Sequence, residues 1–126
     1  MEKKKNIAIL GSTGSIGVQC LDIIRTYHDK FKVEVLVANT NIKLLAEQAK
    51  EFDPNIVVIA DKTKYAELSK LLKDTDVKVY AGKESVEQVA AVSTVDIVLA
   101  AMVGFSGLIP VIRAIEAGKR IALANK

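Results

Sequence analysis

Three glycines at positions 11, 14 and 17, interleaved with Ser12, Thr13, Ser15 and Ile16, form the segment of this sequence best suited to chemistry. An aliphatic run, Ile7-Ala8-Ile9-Leu10, precedes it and an amphipathic stretch follows, so it reads as a turn from a strand into a helix. Glycine accepts positive φ and close backbone approach at little cost. The first N–H groups of the helix lack internal partners, and the positive end of its dipole faces the turn. A pyrophosphate is the ligand that such a turn suits. Gly17 stands where the helix packs on the strand, and the hydroxyls of Ser12, Thr13 and Ser15 can donate to phosphate oxygens. The plainer alternative is a glycine-rich turn with a serine cap and no ligand. A P-loop is excluded, because no Gly-Lys-Ser/Thr closes the segment.

The end of the second strand is the next place to look. An NAD enzyme carries Asp or Glu there to bind the ribose 2′-hydroxyl. This chain reads Val37-Ala38-Asn39-Thr40-Asn41, and Glu34 falls too early, within the strand. A carboxylate would repel a 2′-phosphate, whereas Asn and Thr can hydrogen-bond to it, so the segment favours NADP; Lys43 is the nearest cation. Asn41 also reads as a plain helix cap. Farther on, the loop from Ala100 to Gly107 should border the nicotinamide half of the cofactor, with Met102 and Val103 against the ring. It reads equally well as an apolar cover over the sheet end. Asn125 and Lys126 reach the same edge from a last strand.

These groups need a scaffold that brings strand ends together. Short aliphatic runs alternate with amphipathic stretches: strands over about 6–10, 31–38, 56–59, 78–81, 96–100 and 120–124, and helices between them. The first helix, about Ser15 to Tyr27, should bury Ile16, Cys20, Ile23, Ile24 and Tyr27. The second, about Ile42 to Phe52, should bury Ile42, Leu45, Ala49 and Phe52 and stop at Asp53-Pro54. Thr63 should cap a helix from Lys64 to about Lys73, and Ser85 with Gln88 should form a capping box. A last helix has Pro110 near its start and Gly118 past its end. Alternation of this kind predicts one α/β domain of Rossmann type, a doubly wound, mostly parallel sheet with helices on both faces.

The 126 residues suffice for one such domain, with 50% apolar and 26% charged residues. A net charge of +3 raises nucleic acid as a partner, but the lysines are scattered apart from Lys3-Lys4-Lys5 and aromatics are few, so that class is not favoured. No apolar run is long enough for a signal peptide or a bilayer span. Cys20, the single cysteine, reads as a small buried hydrophobe, and with no disulfide the chain fits the cytoplasm. His28, the single histidine, falls at the end of the first helix, where a cation suits the dipole.

The heptad Gly-Ser-Thr-Gly-Ser-Ile-Gly at 11–17 resembles the hallmark of the 1-deoxy-D-xylulose 5-phosphate reductoisomerases. The likeness extends through Ala38–Asn41, Ala100–Gly104 and Ala117–Lys126, in the family's order. An Ala-Gly-Lys…Ala-Asn-Lys ending also occurs in homoserine dehydrogenases; the heptad distinguishes the two. The resemblance implies NADPH-dependent isomerisation and reduction of 1-deoxy-D-xylulose 5-phosphate to 2-C-methyl-D-erythritol 4-phosphate, in non-mevalonate isoprenoid synthesis. It implies that Thr13, Gly14, Ser15 and Ile16 bind the NADPH phosphates and adjacent groups. Asn39, Thr40 and Asn41 would surround the 2′-phosphate, Asn125 would contact the cofactor, and Lys126 would bind the sugar phosphate. Many members carry Gly-Lys or Gly-Ser where this chain has Asn39-Thr40.

Family members continue beyond the Asn-Lys pair into carboxylates that hold a divalent metal, magnesium or manganese. The expectation is therefore an N-terminal cofactor domain of a longer, homodimeric enzyme, without catalytic or metal-ligating residues of its own and inactive alone. Two other readings stay open on the residues: the nucleotide domain of a homoserine- or semialdehyde-type dehydrogenase, and a Rossmann module that senses a nucleotide or binds coenzyme A without chemistry.

Overall fold

Among the described residues six strands, all parallel, make one sheet in which the fourth, third, second, first, fifth and sixth strands of the chain lie side by side. The computed structural model describes residues 4–102 and 108–123. The strands are β1 (Lys5–Leu10), β2 (Phe31–Ala38), β3 (Ile56–Ile59), β4 (Lys78–Ala81), β5 (Ile97–Ala100) and β6 (Arg120–Leu123). The helices are α1 (Ser15–Thr26), α2 (Ile42–Phe52), α3 (Tyr65–Leu71), α4 (Lys83–Val89) and α5 (Leu108–Glu116), with a 3₁₀ turn over Lys62–Lys64.

Alternate residues of the central strands feed two separate cores. On one side Ile7, Ile9, Val57 and Ile59 pack with Leu21 and Ile24 of α1, Leu45 and Ala49 of α2, and Leu68 of α3. On the other, Ala8, Leu10, Val37 and Val58 pack with Val86 and Val89 of α4 and Ala114 of α5. Burial on both faces explains why β1 and β3 read as unbroken aliphatic runs. The chain steps outward from β1 to β4 and then restarts beside β1 with β5. The carboxyl ends of β1 and β5 therefore flank the point where the winding reverses, which is where open α/β sheets bind ligands.

One irregularity shapes β2. Ile7 pairs with Val33 and Ala8 with Val35, so Glu34 is an extra residue bulged out of the ladder. Its buried carboxylate accepts from the Thr94 hydroxyl at 2.8 Å and lies 3.5 Å from the Asn55 amide, tying β2 to the turns that precede β5 and β3.

Several local expectations are corrected. Helix α1 buries Gly17, Leu21 and Ile24, with Cys20 partly buried, whereas Ile23 is 57% and Tyr27 47% exposed. Ile16 is only partly buried. The rotation follows from Gly17, whose contact with the β1 turn draws positions 17, 21 and 24 inward at spacings of four and three. Asp61, not Thr63, caps the turn after β3: its carboxylate accepts from the Thr63 N–H and hydroxyl, and α3 starts later, at Tyr65. Ser85 forms no capping box. Helix α4 begins at Lys83 behind Gly82, so Ser85 already lies within the helix, and its hydroxyl donates back to the carbonyl of Ala81, the last residue of β4. Ala124, placed in the last strand by its pattern, lies outside the described residues.

Candidate functional site

The turn after β1 is held by its neighbours on three sides. The N–H groups of Gly11 and Ser12 both donate to the Val37 carbonyl of β2, at 2.8 and 2.9 Å. Gly11 has φ +100°, and a Cβ there would lie 2.9 Å from the Ala101 carbonyl oxygen, so the turn threads between the ends of β2 and β5. A Cβ on Gly17 would lie 2.2 Å from the Gly11 carbonyl oxygen and 2.7 Å from Ser12 Cα. Both positions need glycine because of what the protein itself places against them.

Gly14 is different. It is exposed, with φ −78° and ψ 171°, a conformation open to any residue. A Cβ there would meet only the Gly11 carbonyl oxygen, at an ordinary 3.6 Å. Gly14 is also the N-cap of α1, and no side chain caps the helix. As at any helix start, the N–H groups of Ser15, Ile16 and Gly17 have no i−4 partner, and because the first turn of α1 holds no acidic residue, no carboxylate of that turn faces the positive helix end. The fold leaves Gly14 bare where a ligand's phosphate would approach. Thr13 and Ile16 are partly exposed and Ser15 fully so, which keeps all four expected phosphate-side residues at one accessible helix end. Ser12 is the exception: it is fully buried, so its hydroxyl is not available to a phosphate on the surface of the loop.

The end of β2 brings a second polar group to the same sheet edge. Asn39, Thr40 and Asn41 are all exposed. Asn41 is the N-cap of α2, its Oδ1 accepting from the Leu44 N–H at 3.1 Å. That bond uses the carbonyl end of the side chain, so the Asn41 amide is the part that can serve a ligand. Asn39 has its carbonyl occupied by the Asp61 N–H at 3.0 Å, and Thr40 its carbonyl by the Ile42 N–H at 2.9 Å. These backbone bonds set the loop while leaving the Asn39 and Thr40 side chains outward. Asp61 went unnoticed in the sequence. Its bonds from Thr63 hold its carboxyl below the usual carboxylate range, so a fixed negative charge borders the Asn39 segment.

Past β5, the Ala101 N–H donates to the Leu10 carbonyl at 2.9 Å, and Met102 packs partly buried against the second core. Met102 therefore sits beside the β1 turn, its N–H nitrogen 3.2 Å from where a Cβ on Gly11 would lie. Val103, Asn125 and Lys126 lie outside the described residues. Cys20 is partly buried and burial pushes its thiol pKa up, which disfavours the nucleophilic thiolate. His28 is exposed in the turn after α1, at the opposite end of that helix from the glycine turn. Among the described residues no group of three His, Cys, Asp or Glu is placed to hold a metal ion, and no helix is long and apolar enough to cross a membrane.

A family model described as 1-deoxy-D-xylulose 5-phosphate reductoisomerase matches residues 7–126. The chain is 54% identical over 123 residues to the curated enzyme of that name from Phocaeicola vulgatus, covering 98% of this chain and 32% of the relative. The curated enzyme from Microcystis aeruginosa is 48% identical over 124 residues, with 97% of this chain and 32% of the relative covered. Among solved structures, the fold is similar to that of the Zymomonas mobilis enzyme in complex with NADPH, with a TM-score of 0.93 and 37% identity. That alignment takes in 98% of this chain and 32% of the other. The chain thus spans about a third of the length of the relatives it matches.

Proposed function

The chain belongs to the 1-deoxy-D-xylulose 5-phosphate reductoisomerase family, and from that membership we propose that it is the NADPH-binding domain of such an enzyme. The whole enzyme would isomerise and reduce 1-deoxy-D-xylulose 5-phosphate to 2-C-methyl-D-erythritol 4-phosphate, and would act as a cytoplasmic homodimer. The observation that carries the reading is the bare, uncapped start of α1 at Gly14, beside the end of β2, where residues Asn39–Asn41 include no acid.

Each part of the site has a task. The free N–H groups of Ser15, Ile16 and Gly17, with the Thr13 and Ser15 hydroxyls, bind the pyrophosphate. The Asn39 and Thr40 side chains and the Asn41 amide bind the 2′-phosphate, with Lys43 in the first turn of α2 supplying charge. Met102 shields one side of the nicotinamide from water. Bound NADPH supplies the hydride that reduces the sugar phosphate. Asn125 contacts the cofactor and Lys126 the substrate. A divalent metal is named with the cofactor in a solved structure similar to this chain, but the described residues offer it no ligand set. This chain alone is expected to hold NADPH without turning over substrate.

Calorimetry with NADPH, NADH and coenzyme A tests the assignment. NADPH should bind tightest and coenzyme A not at all. Equal affinity for NADPH and NADH would remove the role given to Asn39–Asn41. Reductoisomerase turnover by the purified chain would overturn the division of labour.

A further inference from the structure

We propose that Gln48 is a positioning residue that fixes the glycine turn relative to the 2′-phosphate segment, so that a single NADPH engages both. The inference rests on the cofactor reading above. Gln48 lies on the inner face of α2 and is 5% exposed. Its Nε2 donates to the Ser12 carbonyl at 2.9 Å, across 36 positions of sequence. Ser12 is the inner residue of the glycine turn, fully buried, with its own N–H on Val37. Helix α2 starts at the Asn41 cap, directly from the segment that faces the 2′-phosphate. One rigid helix therefore carries the 2′-phosphate segment at its amino end and grips the phosphate turn two turns later.

Packing does not explain the choice of glutamine. The other inner residues of α2 are Leu45, Ala46 and Ala49, and burying a carboxamide is unfavourable unless its hydrogen bonds are made. Among the described residues only half of it is paired: Gln48 Oε1 is buried without a protein partner there, and so is Ser12 Oγ. A methionine would fill similar space without a polar atom to satisfy. It would also leave the Ser12 carbonyl free to drift, and with it the turn that presents the N–H groups of Ser15 and Ile16. Where a buried polar contact is poor value for stability, a requirement of position is the remaining account.

The test compares three probes on the unaltered chain, Gln48→Met and Gln48→Glu. NAD⁺ engages the glycine turn, adenosine 2′-monophosphate the 2′-phosphate segment, and NADP⁺ both. Binding is measured by calorimetry at a temperature where thermal unfolding shows each variant fully folded. Gln48→Met should weaken NADP⁺ by roughly tenfold or more, the scale of one lost buried hydrogen bond. Adenosine 2′-monophosphate should change by less than about threefold on the same scale. Gln48→Glu, equal in shape but with an acceptor facing the Ser12 carbonyl, should bind NADP⁺ more weakly than Gln48→Met.

A separate measurement needs no variant. The Gln48 side-chain amide protons of the unaltered chain should exchange slowly with solvent and shift when NADP⁺ binds. NADP⁺ binding to Gln48→Met within threefold of the unaltered chain, or a Gln48 amide that NADP⁺ leaves unmoved, would overturn the inference alone. An unaltered chain that binds no NADP⁺ would overturn the cofactor reading and this inference with it.

Discussion

A methyl group added at Gly17 would sit 2.2 Å from the carbonyl oxygen of Gly11, so helix α1 and the end of β1 meet backbone to backbone. The same test at Gly14 finds only an ordinary 3.6 Å contact. One turn thus holds a glycine the fold demands and a glycine the fold does not.

That difference separates folding from binding. Gly17→Ala should cost about 2–3 kcal/mol or more in urea unfolding, since backbone lies on the far side of the clash and cannot yield cheaply. Gly14→Ala should stay within about 1 kcal/mol, the usual range for a changed cap. Its NADPH affinity should nevertheless fall about tenfold or more, because the added methyl stands between the helix end and the phosphate. A Gly14→Ala chain that binds NADPH normally would refute the cradle.

Asn41 caps α2 and is proposed to contact the 2′-phosphate as well, and Asn41→Asp separates the two roles. Aspartate caps a helix as well as asparagine does, so stability should change by less than about 0.5 kcal/mol. A carboxylate now faces the 2′-phosphate, and NADPH should weaken by roughly ten- to a hundredfold while NADH is little affected. Equal loss of both cofactors would place Asn41 outside the discriminating contact.

The bulged Glu34 should matter through its partner. Thr94→Val removes the hydroxyl that donates to the buried carboxylate at 2.8 Å, and should cost about 1–3 kcal/mol. Combining it with Glu34→Ala should cost less than the sum of the two, because the buried carboxylate that loses its hydroxyl donor is then gone as well. Denaturant midpoints of the four chains measure this directly.

Cys20 gives a pH dependence. Burial raises its thiol pKa, so the folded chain favours the neutral thiol. That contribution is fully present below the unfolded thiol's pKa and is lost as pH rises through the higher folded value. Stability should therefore decline on the alkaline side, and Cys20→Ala should flatten that decline. A disulfide reagent should label Cys20 slowly in the native chain at neutral pH and quickly in urea.

The sheet was legible wherever local pattern and packing agree. The runs at 31–38, 56–59 and 78–81 are strands with the expected bounds, as is the helix at 42–52, because aliphatic runs and a helical stripe each admit one arrangement there. The face of α1 was not legible. Ile16, Ile23 and Tyr27 made a plausible apolar stripe, but the contact between Gly17 and the β1 turn sets the rotation, and a glycine carries no apolar signal. The roles of Gln48 and Glu34 were missed for a related reason. Each is a polar residue whose partner is a turn or a distant strand end, and only the assembled sheet brings the two together.

The bulge in β2 also governs which changes of length the strand tolerates. Glu34 is the added residue, and Val33 and Val35 already alternate correctly without it. Losing residue 34 would let every other side chain of β2 keep its side of the sheet. Losing a residue from 35 to 37 with the bulge kept would exchange the two sides for the rest of the strand, bringing the Asn39 segment out toward the wrong layer of helices. Among descendants of this gene, single-codon deletions in β2 that leave the cofactor edge intact should therefore collect at position 34.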